Sequence, residues 1–325
     1  MIYEILLPLP INKTFSYDKP VENKEKNSLL QGSLVEVEFN KKILVGLVLN
    51  VLHSNKPNRP LKKIRRVFKT FFYKEIIDSI NFISQYSCNK RSLILKLFLS
   101  GFSSKREILI TNTKQNLTSY SKKLPLNLSQ KSVIKNLKSL NFKKFNVILL
   151  EGITGSGKTR VYMSKAKEVI KSGFQCLILV PEIILTTQWV KEIEEDYGLD
   201  VFVYHSSIRR KERELVWHNI NQNKIKLVIG TRSALFLPFA KLGLVVVDEE
   251  HDNSYKQEEQ TIINARDFSI VRAKNSNCMI ILSSATPSLE SYYNVKLKKF
   301  KCFRLSERVN NFPLPKIKIV DMRNE

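Results

Sequence analysis

One stretch, residues 145–159 with the sequence FNVILLEGITGSGKT, constrains the fold of this chain more than any other. It matches the phosphate-binding pattern G-x-x-x-x-G-K-[ST] at every fixed position, with Gly152, Gly157, Lys158 and Thr159. The apolar run before the glycines is typical of a buried parallel strand, and the glycines let backbone N–H groups turn inward around an anion. The amphipathic run after it predicts a helix whose first N–H groups face the same anion. The stretch therefore predicts a nucleotide site.

The residues of this loop have separate expected roles. Lys158 is expected to reach the β and γ phosphates, and the Thr159 hydroxyl to ligate Mg²⁺, so ATP and Mg²⁺ are the expected cofactors. Further contacts to the nucleotide are expected from Gly152, Thr154, Gly155, Ser156 and Gly157.

Beyond this loop the chain alternates apolar strands with charged helices joined by short connections. Such alternation specifies an α/β fold, in which right-handed crossovers place helices on both faces of a parallel sheet. Ligands of such sheets collect at the carboxyl ends of the strands. The predicted strands cover residues 176–180, 201–204, 227–229, 244–247 and 279–282, and two of the intervening helices cover 187–197 and 209–221.

Acidic residues follow the strand predicted at 244–247, where the sequence reads Asp248, Glu249, Glu250 and His251. Two carboxylates at one strand end repel each other unless a cation is present, so the pair favours a metal site beside the phosphate loop. Asp248 is expected to hold Mg²⁺, and Glu249 to orient and deprotonate the attacking water.

Three other predicted strands are followed by runs rich in hydroxyl or arginine donors: LVPEIILTTQ at 179–188, GTRSALFLPF at 230–239 and SSATPSLES at 283–291. Donors at strand ends suit phosphate contacts on single-stranded DNA, or a link between nucleotide state and DNA. Taken alone, Thr231 and Arg232 fit a helix N-cap and a surface arginine equally well.

The first part of the chain predicts a small β domain followed by helices. Short strands are predicted at 2–7, 15–17, 34–39 and 43–51. Isoleucines at helical spacing predict a helix over 74–86, and a second helix is predicted over 88–102.

A polar stretch separates the two parts. Residues 105–128 are rich in Ser, Thr, Asn and Lys, which is typical of a linker, and Ser129 is a plausible N-cap for a helix over 129–144. The predicted domains are residues 1–103, a linker over 104–128, and residues 129–325.

The net charge of +24 is unevenly placed. Residues 56–144 contain 21 Lys and Arg but only three Asp and Glu, whereas residues 1–55 contain six of each kind. A basic segment beside a nucleotide site favours nucleic acid as a partner, because neutralised phosphates release counterions. Lys, Asn and Ile are abundant throughout, so a codon bias is an alternative source of this charge.

Composition excludes several other classes. The chain has no run of 18 apolar residues and its first residues lack a basic leader with a cleavage site, so we expect no membrane segment and a cytoplasmic protein. Its four cysteines are far apart and include no C-x-x-C pair, which favours neither a disulfide framework nor a zinc site.

Taken together, GITGSGKT, VPEIILTTQ, GTRSALF, DEEHDNSYKQ and SSATPSLES are similar to the motif set of superfamily 2 helicases and most closely resemble the PriA family of replication-restart helicases. The resemblance covers residues 129–325 and extends more loosely to the start of the chain. It implies a RecA-like first motor lobe preceded by a small β-rich domain that binds the 3′ end of a DNA strand.

The resemblance also implies residue roles and partners. It implies ATP-driven 3′ to 5′ translocation and primosome assembly at stalled forks, with single-strand binding protein and primosome proteins as partners. For DNA it implies contacts by Phe15, Tyr17, Lys62, Thr231, Arg232, His251, Tyr255 and Lys256, with Asp252 in the same coupling loop. For the nucleotide it adds Gln130, and for coupling the nucleotide state it implies Ser284, Ala285 and Thr286.

Three differences from the family pattern lead to further expectations. The family continues with a second motor lobe, which supplies an arginine finger, and with a zinc module, and we expect neither in this chain. The polar linker is too short for the family's winged-helix domain. Ile262 and Ile263 stand where the family places an aromatic residue, which removes a stacking surface for DNA.

Two functions therefore remain open. The first is the N-terminal part of a restart helicase, and the alternative is a non-enzymatic module that binds fork DNA and nucleotide. Another superfamily 2 translocase is a third reading, which Phe15 and Tyr17 disfavour.

Overall fold

The computed structural model describes residues 1–20, 29–53, 60–104, 125–257 and 262–309. Within these ranges the chain forms an antiparallel sheet, a parallel sheet and eight α-helices. No helix in the described ranges is long and apolar enough to cross a bilayer.

The first sheet is built from five antiparallel strands in the order β2-β1-β4-β3-β5. Alternation in β3 buries Val35 and Val37 while Glu36 stays partly exposed, as a half-buried strand requires. The edge strand β5 was not predicted from the sequence. The strands are β1 (Ile2–Leu6), β2 (Phe15–Tyr17), β3 (Ser33–Phe39), β4 (Lys42–Leu52) and β5 (Arg66–Phe71).

Two helices follow this sheet, α1 (Lys74–Tyr86) and α2 (Arg91–Phe98). The predicted bounds of α1 are confirmed at both ends, and its four periodic isoleucines, Ile76, Ile77, Ile80 and Ile83, are all buried. The second helix is shorter than predicted. Cys88 has a left-handed backbone (φ 52°) before α2 begins.

The second sheet has seven parallel strands in the order β14-β6-β13-β10-β7-β9-β8. The central strands β6, β13, β10 and β7 are almost entirely buried, which explains their continuous apolar sequences. Each predicted strand of this part is confirmed within two residues. In chain order the elements are α3 (Leu128–Ser139), β6 (Asn146–Gly152), α4 (Lys158–Lys171), β7 (Gln175–Leu179), α5 (Thr187–Tyr197), β8 (Phe202–Tyr204), α6 (Arg210–Asn221), β9 (Leu227–Gly230), β10 (Leu242–Asp248), the β-hairpin strands β11 (Lys256–Gln257) and β12 (Ile263–Asn264), α7 (Ala265–Asn275), β13 (Met279–Ser284), α8 (Leu289–Lys296) and β14 (Lys301–Leu305).

Two details of this part differ from the sequence prediction. Ser129 is not the N-cap of α3: Asn127 is, because its side chain accepts from the Gln130 N–H while the Gln130 side chain accepts from the Asn127 N–H. The second difference is β14, an edge strand beside β6 that was not predicted.

The two sheets share one hydrophobic core through a cluster around Trp217. The Trp217 indole is fully buried, donates to the Phe98 carbonyl at 2.7 Å, and meets the rings of Phe72 and Phe102. A Cβ on Gly101 would lie 2.8 Å from this indole, so only glycine fits there. The first domain is therefore fixed to α6 of the second sheet by buried apolar contact.

We predict that Trp217→Ala weakens the whole described structure and not one sheet alone. Truncation of a buried tryptophan costs about 3–5 kcal/mol, because a cavity replaces the ring. Urea denaturation followed by circular dichroism should show one transition, displaced to lower urea in the variant. Tyr293→Ala, at a side chain that is 60% exposed, is the control and should change stability by less than about 0.5 kcal/mol. Two separate transitions in the wild-type chain would contradict a shared core.

Candidate nucleotide and nucleic-acid site

The loop after β6 has the conformation of an anion cradle. Gly155 and Gly157 both have positive φ angles, 79° and 78°, which place successive N–H groups on one side of the turn. Nothing lies within 4 Å of a Cβ built on Gly155, so the mouth of the loop is open. Gly157 precedes the first residue of α4, and the helix N-terminus faces the same space.

Lys158 is the buried cation of this loop, with 8% of the residue exposed. Its Nζ donates to the Gly152 carbonyl at 3.0 Å and lies 3.6 Å from Oε1 of Glu249. A buried ammonium needs charged or strong acceptors, and phosphate oxygens would supply them better than one carbonyl and one distant carboxylate.

An unpartnered hydroxyl supports the fit of a phosphate to this loop. The Ser156 Oγ is buried and has no hydrogen-bond partner among the described residues. Gln130 lies directly behind the loop, where its Nε2 donates to the Ser156 carbonyl at 2.8 Å. Because the Gln130 amide is already used by Asn127 and Ser156, it supports the loop, and its contact with nucleotide stays a prediction.

Asp248 ends β10 and is 6% exposed. Its Oδ1 accepts from the Ser283 hydroxyl at 2.7 Å, and its Oδ2 accepts from the Tyr162 hydroxyl at 2.9 Å. Burial raises the pKa of Asp248 despite these two hydrogen bonds, and the neighbouring Glu249 carboxylate raises it further. A divalent cation would reverse this penalty, so the carboxylate fits a Mg²⁺ ligand.

Glu249 begins the turn after β10 with a left-handed backbone (φ 46°). Its side chain lies between Lys158 and His251, whose Nδ1 is 3.7 Å from Oε2 of Glu249. The same His251 nitrogen is 2.8 Å from the Ser284 hydroxyl at the end of β13. The structure therefore connects three predicted site residues, Glu249, His251 and Ser284, while Ala285 and Thr286 continue the chain beyond them.

A groove of about 290 Å³ runs along the rim of the second sheet and reaches the first domain. Thr231, Arg232 and Tyr255 line it as predicted, and Leu97 and Ser100 close it from the α2 side. Arg232 donates to the Lys256 carbonyl at 2.7 Å, which ties the end of β9 to β11. Tyr255 is fully buried, and its hydroxyl donates to the Asp248 carbonyl, so it supports the acidic loop.

Phe15, Tyr17 and Lys62 lie in the first sheet and on the segment before β5, apart from the second sheet. Tyr17 is buried and donates to the Glu38 carbonyl, and Lys62 Nζ pairs with the Glu38 carboxylate at 2.9 Å. That hydrogen bond from Lys62 lowers the pKa of Glu38. Phe15 is half-buried with its ring edge-on to Phe39, so it exposes more surface to a ligand than Tyr17 does.

Sequence reasoning missed several residues that shape the site. Tyr162 was not singled out, although its position three residues after Thr159 places both on one face of α4. Its burial raises its pKa well above the ordinary value, so it stays a neutral donor to Asp248. Further missed residues are Ser283 beside Asp248, and His205, Ser206 and Arg213 in the rim groove.

Comparison with known proteins agrees with this arrangement. A model of the DEAD/DEAH box helicase family matches residues 127–295, and a PriA model described as a 3′DNA-binding domain (3′BD) matches residues 4–100. The structure of RecG bound to a three-way DNA junction is similar with a TM-score of 0.43 and 19% identity, over 74% of this chain and 36% of that one.

The chain therefore belongs to the DEAD/DEAH box helicase family. Its relatives within that family are PriA proteins, which confirms the predicted resemblance and fold class. Replication restart protein PriA of Rickettsia prowazekii (strain Madrid E) is 37% identical over 98% of this chain and 48% of its own length. The PriA protein of Haemophilus influenzae is 44% identical over 56% of this chain and 25% of its own length. The chain thus spans about half the length of the first of these relatives.

The raised pKa of Asp248 predicts how stability depends on pH. The contribution of this carboxyl is fully present below its ordinary pKa and is lost as the pH rises through the raised folded-state pKa. Asp248→Asn avoids this loss, so without Mg²⁺ the variant should be more stable than wild type at neutral pH, and the gap should narrow in acid. Urea unfolding between about pH 5 and 8 measures this.

The control for this experiment is Asp78→Asn, at an exposed carboxylate on α1. It should follow the wild-type pH dependence throughout. A less stable Asp248→Asn chain at neutral pH would show that ionised Asp248 stabilises the nucleotide-free fold, contrary to the account.

Proposed function

We propose that this chain is the nucleotide-binding and fork-binding part of an ATP-dependent DNA helicase of replication restart. The observation that carries the proposal is the meeting of Lys158, Asp248 and Glu249 at one sheet edge, in a chain whose residues 4–100 match a 3′ DNA-binding domain. The reaction is transfer of the terminal phosphoryl group of ATP to water.

The residues of the loop would hold the nucleotide as follows. Lys158 leaves Gly152 and Glu249 for the phosphate oxygens, while N–H groups of the loop and the Ser156 hydroxyl surround the same anion. Thr159 and Asp248 hold Mg²⁺, which when bound neutralises charge on the phosphates.

Glu249 is the general base of this proposal. In the nucleotide-free chain its carboxylate is 3.6 Å from the Lys158 ammonium. Once Lys158 turns to phosphate, Glu249 is free to orient a water molecule and accept its proton. His251 remains between Glu249 and Ser284, so a change at the base reaches the end of β13.

For DNA, the proposal uses both sheets. Thr231, Arg232 and Lys256 at the rim would contact phosphates, with His251 and Tyr255 linking them to the acidic loop. Phe15, with Tyr17 and Lys62 behind it, would receive a 3′ end at the first sheet. Translocation from 3′ to 5′, stalled forks as substrate, and single-strand binding and primosome proteins as partners in the cytoplasm belong to the proposal through the PriA relatives.

The alternative is a non-enzymatic module that binds forked DNA and nucleotide. It gains weight from the 48% share of the Rickettsia protein that the chain covers. An arginine supplied from outside the nucleotide lobe is worth about 10³–10⁵ in rate for motors of this type, so turnover by the chain alone is expected to be slow.

ATP hydrolysis in the presence of forked DNA separates the two functions. The helicase proposal predicts turnover that the fork stimulates, and Lys158→Ala should lower it by about 10²-fold or more, because the phosphate charge loses its buried cation. Phosphate release measured with and without a fork carrying a free 3′ end provides the test.

Lys171→Ala, at the exposed C-terminal end of α4, is the matched lysine control and should hydrolyse ATP like wild type. Equal rates for wild type and Lys158→Ala, with fork binding intact, would refute the enzyme and leave the binding module. Loss of both fork and nucleotide binding in the wild-type chain would refute both functions.

A further inference from the structure

Glu250 is a buried carboxylate beside the general base, and the proposed chemistry does not use it. Its side chain is completely buried, unlike that of Glu249, which is 29% exposed. It accepts hydrogen bonds from the Ser288 N–H at 2.7 Å, the Ser288 hydroxyl at 3.0 Å and the Ser291 hydroxyl at 3.1 Å. Its backbone N–H donates to the Ser283 carbonyl at 3.0 Å. Glu250 therefore joins the acidic loop to both ends of the segment between β13 and α8.

Arg266 is the cation of this buried group. Its Nη1 lies 3.3 Å from the Glu250 carboxylate and donates to the Ser288 hydroxyl at 2.7 Å. Asp267 and Glu290 also approach the guanidinium, at 2.9 Å and 3.5 Å. Since a buried ion pair left with one partner is strongly destabilised, Glu250 and Arg266 constrain each other's position.

The position of Arg266 in the chain connects this pair to the rim. It is the second residue of α7, directly after the strand β12, and its N–H donates to the Asn264 side chain at 3.0 Å. Asn264 pairs with Lys256 across the hairpin. The Lys256 carbonyl in turn accepts from Arg232.

These contacts form a continuous path of hydrogen bonds and strand pairing from Arg232 at the DNA rim to Glu250, whose neighbour is Glu249. Each step is a directional polar contact, and both Glu250 and Arg266 are at least nine-tenths buried. A path built this way has few ways to adjust at one end alone. Movement of the hairpin on binding DNA is therefore passed to the acidic loop.

We propose that Glu250 and Arg266 are a positioning pair that couples nucleic acid at the β11–β12 hairpin to the nucleotide site. The inference rests on the proposed function, because it needs a nucleotide and a DNA strand bound at the two ends of the path. Neither residue touches a reacting atom. The pair acts through Glu249, by fixing where the acidic loop lies relative to the phosphate loop.

Coupled binding tests this role without relying on turnover. The affinity for a fluorescent, non-hydrolysable ATP analogue with Mg²⁺ is measured with and without saturating oligothymidine. Wild type should show a ratio in the range of about 5 to 150, typical of coupled sites, and the same ratio should appear when DNA affinity is measured with and without the analogue. In Arg266→Gln the ratio should fall towards one, while each ligand alone still binds.

The double variant Glu250→Gln/Arg266→Gln distinguishes positioning from general stabilisation. If the two residues act as one unit, its ratio equals that of either single variant, so the effects do not add. Ser288→Ala removes only the bridging hydroxyl and should give an intermediate ratio in a folded chain, so the proposal stays testable if Arg266→Gln does not fold. Arg210→Gln breaks an exposed arginine–glutamate pair on α6 and should keep the wild-type ratio.

The outcomes are distinct. A wild-type chain that binds neither ligand overturns the proposed function, and the positioning role with it. A wild-type chain that binds both ligands without coupling, or variants that keep the wild-type ratio, overturn the positioning role alone.

Discussion

The contact between Lys158 and Glu249 is the interaction on which the site depends. An ammonium that is 8% exposed faces a single carbonyl at 3.0 Å and a carboxylate at 3.6 Å. Nearby, burial raises the pKa of Asp248, and the Ser156 hydroxyl has no partner among the described residues. These strained or incomplete interactions all improve when an anion and a divalent cation enter together, which makes the edge a site for a metal-bound phosphate.

The fold produces this edge because parallel strands all deliver their ends to one side. The ends of β6, β10 and β13 are adjacent in the sheet, so the phosphate loop, the acidic loop and Ser284 meet there. Trp217 then adds the first domain to the same rim, because its burial against Phe98 places α2 beside the groove. The nucleotide site and the DNA-binding domain therefore rest on one shared core, and a rigid connection of this kind suits a motor.

Much of this could be predicted from the sequence, because strong periodicity and full motifs leave few alternatives. Residues 74–86 form α1 as predicted, and the five strands of the motor lobe lie where continuous apolar runs placed them. The prediction was wrong at Ser129, although the spacing of Asn127 and Gln130 is that of a capping box. Edge strands β5 and β14 were missed because they are short and partly exposed.

The tertiary partners of the site residues could not be predicted. Nothing local distinguishes Glu250 from Glu249, yet their side chains are buried to different degrees, because one meets Arg266 and the other the open phosphate loop. Tyr17 carries a motif resemblance, but the structure buries its ring beneath Phe15 and Phe39 in the core of the first sheet. Such differences depend on which distant elements pack together, and a single sequence does not specify this.

Calorimetric titration of Mg²⁺–ATP into wild type and Glu249→Gln tests the central claim most directly. If Lys158 is held for phosphate and Glu249 only occupies it in the meantime, the variant should bind at least as tightly as wild type. Its turnover should fall by about 10²- to 10⁴-fold, the usual contribution of a general base. Markedly weaker binding by Glu249→Gln would show that Glu249 belongs to the nucleotide-holding group, and the account of this edge would be wrong.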